Sequence, residues 1–307
     1  MYRDYKGEDM RKTILIYVLI FCAGFLFSEN LGTLPEVLRP DMISVYGDEL
    51  YIAEGATFSV YSLTDLKLLR KFGKKGEGPG ELVIIPNFPN KITVLKDQVF
   101  VTGIGKAISF TKEGKFLKEF RTGQRVLQLI PVGENFVSKE QGVDTEEKAI
   151  YTIIALYNAD MKKIKELYRQ HWPQQGGAPP RKLDMTLDFL SVEVYENKIF
   201  IEKSQEGFII DVFDSSGSKL YTINKKYKKH ILTQEDKDKI IAKFKEDPAI
   251  KDVAKQVGGW AGVKKLFKMD FPEAFPPIKG FEISNNKIYI NTYIEKDNKI
   301  EYIVLDL

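Results

Sequence analysis

Five times in this chain an aromatic residue followed by an aliphatic one opens a short apolar run: Tyr51-Ile52, Phe100-Val101, Phe136-Val137, Phe200-Ile201 and Tyr289-Ile290. Around each pair the same succession of strand-like runs returns. A chain made of one repeated β-unit buries its apolar faces by packing unit on unit, which restricts it to a small set of repeat architectures. In the clearest copy, runs at 92–95, 98–102, 107–111 and 115–120 partly alternate apolar with polar residues, as half-buried antiparallel strands do. Glu113-Gly114 precedes the last of them. This is a four-stranded meander.

The other units repeat it. The first has runs at 42–45, 50–53, 58–63 and 67–72, the third at 127–130, 135–139, 153–158 and 163–168, and the fourth at 191–194, 198–202, 208–213 and 219–223. The third carries a longer excursion at 142–148, and the fifth shows only three runs, at 281–284, 287–292 and 300–305. The spacing between pairs varies from 36 to 89 residues because segments are inserted between strands. The expected fold is all-β, a β-propeller of four-stranded antiparallel blades with five visible and the last incomplete. A two-layer sandwich is the competing architecture, and it needs no such resemblance between units.

Two inserted segments stand out. The stretch 170–180 is rich in Gly and Pro and reads as a loop holding His171 and Trp172, a pair that either stacks on a ligand or pins the loop to the scaffold. The stretch 233–269 switches to helical periodicity. Thr233 with Asp236 forms an N-cap, Asp247-Pro248 ends the first helix, a second covers 249–257, and a third covers 262–269. Trp260 lies between the last two, and Phe271 and Phe275 follow. His171, Trp172, Trp260, Phe271 and Phe275 are the candidate ligand-binding residues.

Residues 1–28 read as a signal peptide or N-terminal anchor, with 29–307 as the propeller domain. Arg11 and Lys12 precede the apolar stretch 13–27, and polar Ser28-Glu29-Asn30 follow. Fifteen apolar residues suit an export signal better than a bilayer span of about 20. The expected location is periplasmic or extracellular, with membrane contact only through an uncleaved N-terminal segment. Cys22 is the sole cysteine, and Phe21 before it is too large for a lipoprotein box. Removal of the signal therefore leaves no thiol and no disulfide.

A net charge of +3 gives no broad field for nucleic acid. The most basic region, Lys225 to His230 with Lys264, Lys265 and Lys268, is interrupted by Glu235, Asp236 and Asp238 and reads as a solvated face. His171 and His230, the two histidines, both lie in insertions without metal-ligand spacing. No catalytic residue, metal or cofactor is assigned. Channel acids for an enzyme would come from Glu54, Glu140, Glu202 and Glu295, which follow the second strands at unequal offsets.

The segment Gly73 to Glu81 lacks the Lys-Ser/Thr pair of a phosphate loop, and Glu77 and Glu81 would repel an anion, so it reads as a connection between blades. Phe72-Gly73, then Gly76-Glu77-Gly78-Pro79-Gly80-Glu81, then Pro86 or Pro89, a strand and an aromatic-aliphatic pair resembles the bacterial six-bladed β-propeller proteins related to NHL repeats. The stretch 271–278 leading into 281–290 is similar to the opening of a late blade there. The resemblance covers roughly 40–307. It implies six blades and export, and it is weak for function.

Two outcomes stay open for the fifth unit. Either 29–39 supplies its outer strand and closes a five-membered ring, or the sheet keeps an open edge suited to pairing with another chain. The functional expectation is an exported binding or scaffold module for a carbohydrate, peptide or protein partner at the face carrying the insertions. The alternative is a lyase or hydrolase with its site in the channel.

Overall fold

A computed structural model describes residues 32–85, 88–144, 149–172, 180–186, 190–296 and 299–307. The N-terminal stretch 1–31, which includes the expected export signal and Cys22, together with Pro86, residues 145–148 and 173–179, and the side chain of Trp172, lies outside the described residues. The fold is a β-propeller. Its first blade is β1 (Met42–Tyr46), β2 (Glu49–Glu54), β3 (Thr57–Ser62) and β4 (Leu68–Phe72). The second is β5 (Lys91–Val94), β6 (Gln98–Gly103), β7 (Lys106–Thr111) and β8 (Phe116–Arg121). In the third are β9 (Val126–Val132), β10 (Asn135–Asp144), β11 (Ala149–Tyr157) and β12 (Lys163–Trp172). A short β13 (Arg181–Asp184) then precedes the fourth blade, β14 (Val192–Tyr195), β15 (Lys198–Glu202), β16 (Ile209–Phe213) and β17 (Lys219–Asn224).

Three helices follow, α1 (Gln234–Glu246), α2 (Pro248–Gln256) and α3 (Trp260–Leu266), and then β18 (Phe267–Asp270). The fifth sheet has three strands among the described residues: β19 (Gly280–Ser284), β20 (Lys287–Lys296) and β21 (Lys299–Asp306). Every blade is an antiparallel meander in chain order. Successive blades touch near their inner strands, β1 with β5, β6 with β9, and β14 with both β9 and β19.

The repeated pairs explain the packing. Side chains alternate across a strand, so the two members of a pair face opposite neighbours. Tyr51 joins the core shared with the second blade, Val101 packs back into that core, Phe100 belongs to the next one, and Ile201 and Phe200 divide in the same way. The third blade breaks the sequence alignment by one residue. Phe136 packs back on Phe100 and Phe120, while Val137 packs forward, so Phe136 occupies the place that Leu50 has in the first blade. A one-residue slip exchanges the two faces, and here both faces are buried and apolar, so the exchange is tolerated.

A β-bulge recurs in all four outer strands immediately after their first paired residue, where pairing skips from 68 to 70, 116 to 118, 163 to 165 and 219 to 221. The skipped residues are Leu69, Leu117, Ile164 and Leu220, each 47–51% exposed. Bulges of this kind twist an edge and blunt it against further pairing. Between the first two blades, Arg70 holds Glu49 with both guanidinium nitrogens (2.6 and 2.7 Å) and donates Nε–H to the Lys112 carbonyl at 2.6 Å.

Glycine at position 73 is required by geometry. Its φ is +83°, and a Cβ there would lie 2.4 Å from the Ala56 carbonyl oxygen. In the connection that follows, Glu81 is tied to Lys74 (2.6 Å) and accepts the Gly78 N–H at 3.1 Å. The segment joins blades, as its sequence indicates.

Residues 32–40 form no strand and lie against the first blade, where Glu54 accepts the N–H groups of Leu38 and Arg39 at 3.0 and 2.9 Å and Glu36 hydrogen-bonds Tyr61. They do not complete the fifth sheet, which keeps its edge open among the described residues. Five blades are formed, and a sixth is not found among the described residues.

The helices begin as their caps dictate. Thr233 and Asp236 form a reciprocal capping box, and Asp247 caps α2 ahead of Pro248 in its first turn. The third helix differs from expectation: it starts at Trp260 and ends at Leu266, and 267–270 is strand β18 pairing in parallel with β13. That pairing overrides the local helical pattern and joins the two inserted segments.

Candidate functional site

The helical insertion closes on itself. Ile231 bridges Ala274, the Leu232 N–H donates to the Glu273 carbonyl at 3.0 Å, and the Phe275 N–H donates to the His230 carbonyl at 2.9 Å. This stem fixes a strap, residues 225–230, between the fourth and fifth blades. At its start the Lys225 N–H donates to the Phe208 carbonyl at 3.2 Å, and the Tyr227 ring packs 6.4 Å from Phe208. Between the strap and β20 runs a groove of about 480 Å³. Its floor is Phe275, Pro276 and Pro277, and its far wall carries Tyr293, Ile294 and Glu301.

Charge along the groove is one-sided. Lys225, Lys226, Lys228 and Lys229 are all exposed, and none forms an ion pair among the described residues. The Nδ1 atom of His230 is buried and has no hydrogen-bond partner among the described residues. Opposite the lysines, Glu301 accepts the Thr292 hydroxyl at 3.0 Å. A second depression of about 750 Å³ on α1 is lined by Asp238, Glu246 and Asp247 together with Lys243, Lys245 and two apolar side chains, so it mixes charges of both signs.

The aromatic candidates are already engaged within the protein. Phe275 is buried between His230 (5.1 Å) and Tyr293, on which it stacks at 4.9 Å and 17°. Trp260 meets the edge of Phe244 at 6.2 Å and has the Lys245 ammonium 4.8 Å from its ring centre. Phe271 carries Lys237 at 5.7 Å. His171 lies in β12 rather than in a loop, because β12 continues to Trp172, and its ring meets Tyr151 edge-on at 5.1 Å. Phe275 and His230 share the groove, whereas Trp260 and Phe271 belong to the helical cap and His171 to the third blade.

The four acids considered for a channel lie in separate local settings. Glu54 caps residues 38 and 39, Glu140 pairs with Lys163 (2.7 Å) and Tyr157 (2.9 Å), and Glu295 lies 3.8 Å from Lys243. Glu202 is fully buried at the end of β15. No group of three or more His, Cys, Asp or Glu suited to a metal occurs among the described residues. The sequence reading overlooked the inner strands. There Glu193 of β14 has its carboxyl pushed up to about 8 by burial, with the negative charge of Glu282 on β19 adding to the shift and Lys139 opposing it.

No family model and no curated protein matches the chain. Solved structures similar to it include BBS1N in complex with ARL6DN, at 14% identity over 63% of this chain and 54% of that one, with a TM-score of 0.33. A second structure of the same complex gives 12% identity over 64% and 60% of the two chains, with a TM-score of 0.34. PorZ, a surface component of the type-IX secretion system of Porphyromonas gingivalis, gives 10% identity over 87% of this chain and 26% of that one, with a TM-score of 0.34. The chain thus spans less than two thirds of each of these proteins. The propeller assignment rests on the blades described above.

Proposed function

We propose that this protein is an exported binding module that holds an acidic, partly apolar polypeptide segment in the groove between the lysine strap and the fifth blade. The observation that carries the reading is the row of four exposed lysines, without ion pairs among the described residues, beside an apolar floor. Lysine ammonium groups attract carboxylates over about a Debye length, and the prolines and covered aromatics supply contact area rather than orientation. A sugar-binding platform needs an open aromatic face. Phe275 is sandwiched and Trp260 is flanked, which favours a peptide or protein over a carbohydrate. Descent from the NHL-related propellers belongs to the same reading, supported by the 72–81 motif, as does export, supported by the 11–28 stretch.

The test is titration of a fluorescein-labelled Glu/Leu peptide against the protein and its K226E/K228E variant. Binding that weakens about tenfold or more in the variant, and also weakens with added salt, is the expected result. Tight binding of neutral glycans, indifferent to both changes, would refute the reading.

A second reading, a hydrolase or lyase site in the channel, is favoured by one observation. Glu193 and Glu282 lie on the touching inner strands β14 and β19, and burial with the Glu282 charge raises the Glu193 carboxyl, the direction in which a general acid is tuned.

A further inference from the structure

Pairing between β20 and β21 is interrupted once. Asn291 faces Tyr302 and Glu295 faces Ile300, so three residues of β20, Thr292, Tyr293 and Ile294, stand opposite the single residue Glu301. All four line the groove. An irregularity of this kind disrupts the ladder locally and re-aims side chains, and here the displaced groups find one another. The Ile294 N–H, outside the paired register, donates to the Thr292 hydroxyl oxygen at 3.1 Å, and that hydroxyl donates to Oε2 of Glu301 at 3.0 Å. Thr292 is 6% exposed, so the relay is anchored inside the sheet, whereas Glu301 lies at the surface.

The carboxylate is thus oriented from within the sheet, and its other oxygen takes no hydrogen bond among the described residues. Glu301 is also the one charged residue that the fifth blade brings to the groove, since Thr292, Tyr293, Ile294 and Ile303 make up the rest of that wall. Facing it, the strap brings lysines at 225, 226, 228 and 229. None of them forms an ion pair with Glu301 among the described residues. The groove therefore carries opposite charges on its two sides, with the apolar floor of Phe275, Pro276 and Pro277 between them. A ligand bearing acidic groups alone would suit the strap and be repelled at the wall.

We propose that Glu301 sets the charge order of the groove's ligand, which is a polypeptide segment acidic along the edge that meets the strap and carrying one lysine or arginine where it meets Glu301. The inference rests on the acidic-peptide reading above and narrows it. A carboxylate already oriented by Thr292 loses little freedom on pairing, and a charge-assisted hydrogen bond to a basic side chain is stronger than a neutral one. An acidic side chain at the same place is rejected by like charge, so one residue supplies both the attraction and the discrimination.

The probes are fluorescein-labelled Glu/Leu peptides in which one position at a time is lysine, norleucine or glutamate, titrated by anisotropy against the whole protein and its E301Q and E301K variants. At one position lysine should bind about tenfold more tightly than norleucine, a preference that disappears in E301Q and passes to glutamate in E301K. E301Q should bind the norleucine peptide at least as tightly as the unaltered protein does, because glutamine can still accept the Thr292 hydroxyl and removes only the charge. Equal affinity of the three residues at every position, or a lysine preference that survives E301Q, overturns the inference and leaves the lysine-strap reading standing. Loss of all peptide binding in E301Q alone makes Glu301 a structural residue and overturns it as well. Failure of every peptide to bind the unaltered protein overturns both.

Discussion

Replacing Phe200 with alanine should lower the unfolding free energy by about 3–5 kcal/mol. Phe200 is 1% exposed and lies in the core that the fourth and fifth blades share with Phe281, Ile288 and Ile290. Truncation removes the transfer energy of the ring and leaves a cavity between two sheets whose backbones are fixed by their own ladders. Such a site collapses poorly, which places the loss toward the upper end of the range. The control is Tyr302→Ala on the open face of the fifth blade, expected to change stability by less than about 1 kcal/mol. Urea unfolding of both variants checks the pair. Equal effects would show that the fourth and fifth sheets do not pack through Phe200.

The second large effect depends on pH. Because the folded protein raises the Glu193 carboxyl from 4.5 to about 8, the native state keeps a proton that the unfolded chain releases. Its contribution is fully present below about 4.5 and is lost as pH rises toward 8. Glu193→Gln should therefore be neutral near pH 4.5 and stabilising above it, with the gain levelling off beyond pH 8. The full shift would correspond to about 5 kcal/mol. Glu193 is only half-buried, so water screens part of the penalty and a gain of about 2 kcal/mol is expected. Thermal unfolding of both proteins at pH 4.5, 6, 7.5 and 9 measures it. A gain of the same size at every pH would assign the effect to packing and remove the support for a channel acid.

Much of the architecture was legible because strands with one or two buried faces must alternate or run apolar, and four units do so in the same order. That the fifth unit shows three runs was legible for the same reason, and three strands form there among the described residues. The register of the third blade was not. Phe136 and Val137 can each face either neighbour, and the choice is made by Phe100 and Phe120 in the adjacent sheet. Phe267 to Met269 continued a helical pattern, but pairing with Arg181 to Leu183, more than 80 residues earlier in the sequence, turned them into a strand.

The candidate site was legible only in pieces. Phe275 and the lysine run were visible separately, yet their meeting depends on the stem that joins 230–232 to 273–275 across the helical insertion. Once the stem is formed, the strap lysines face a wall of β20 and β21 that the sequence places some 65 residues away. Glu193 and Glu282 gave no signal, since each looks like the polar member of an alternating strand. Their relation arises from the juxtaposition of two inner strands, β14 and β19.

Amide hydrogen exchange resolved by residue tests most directly the claim that four blades carry four strands and that β21 has no outer neighbour among the described residues. In the isolated protein, amides throughout β3, β7, β11 and β16 should exchange slowly, because each of these strands is paired on both sides. In β21 the amides directed away from β20 should exchange as fast as those on the free edges of β4, β8, β12 and β17. Protection of every β21 amide to the level of β16 would mean that a fourth strand already covers it, which contradicts that claim.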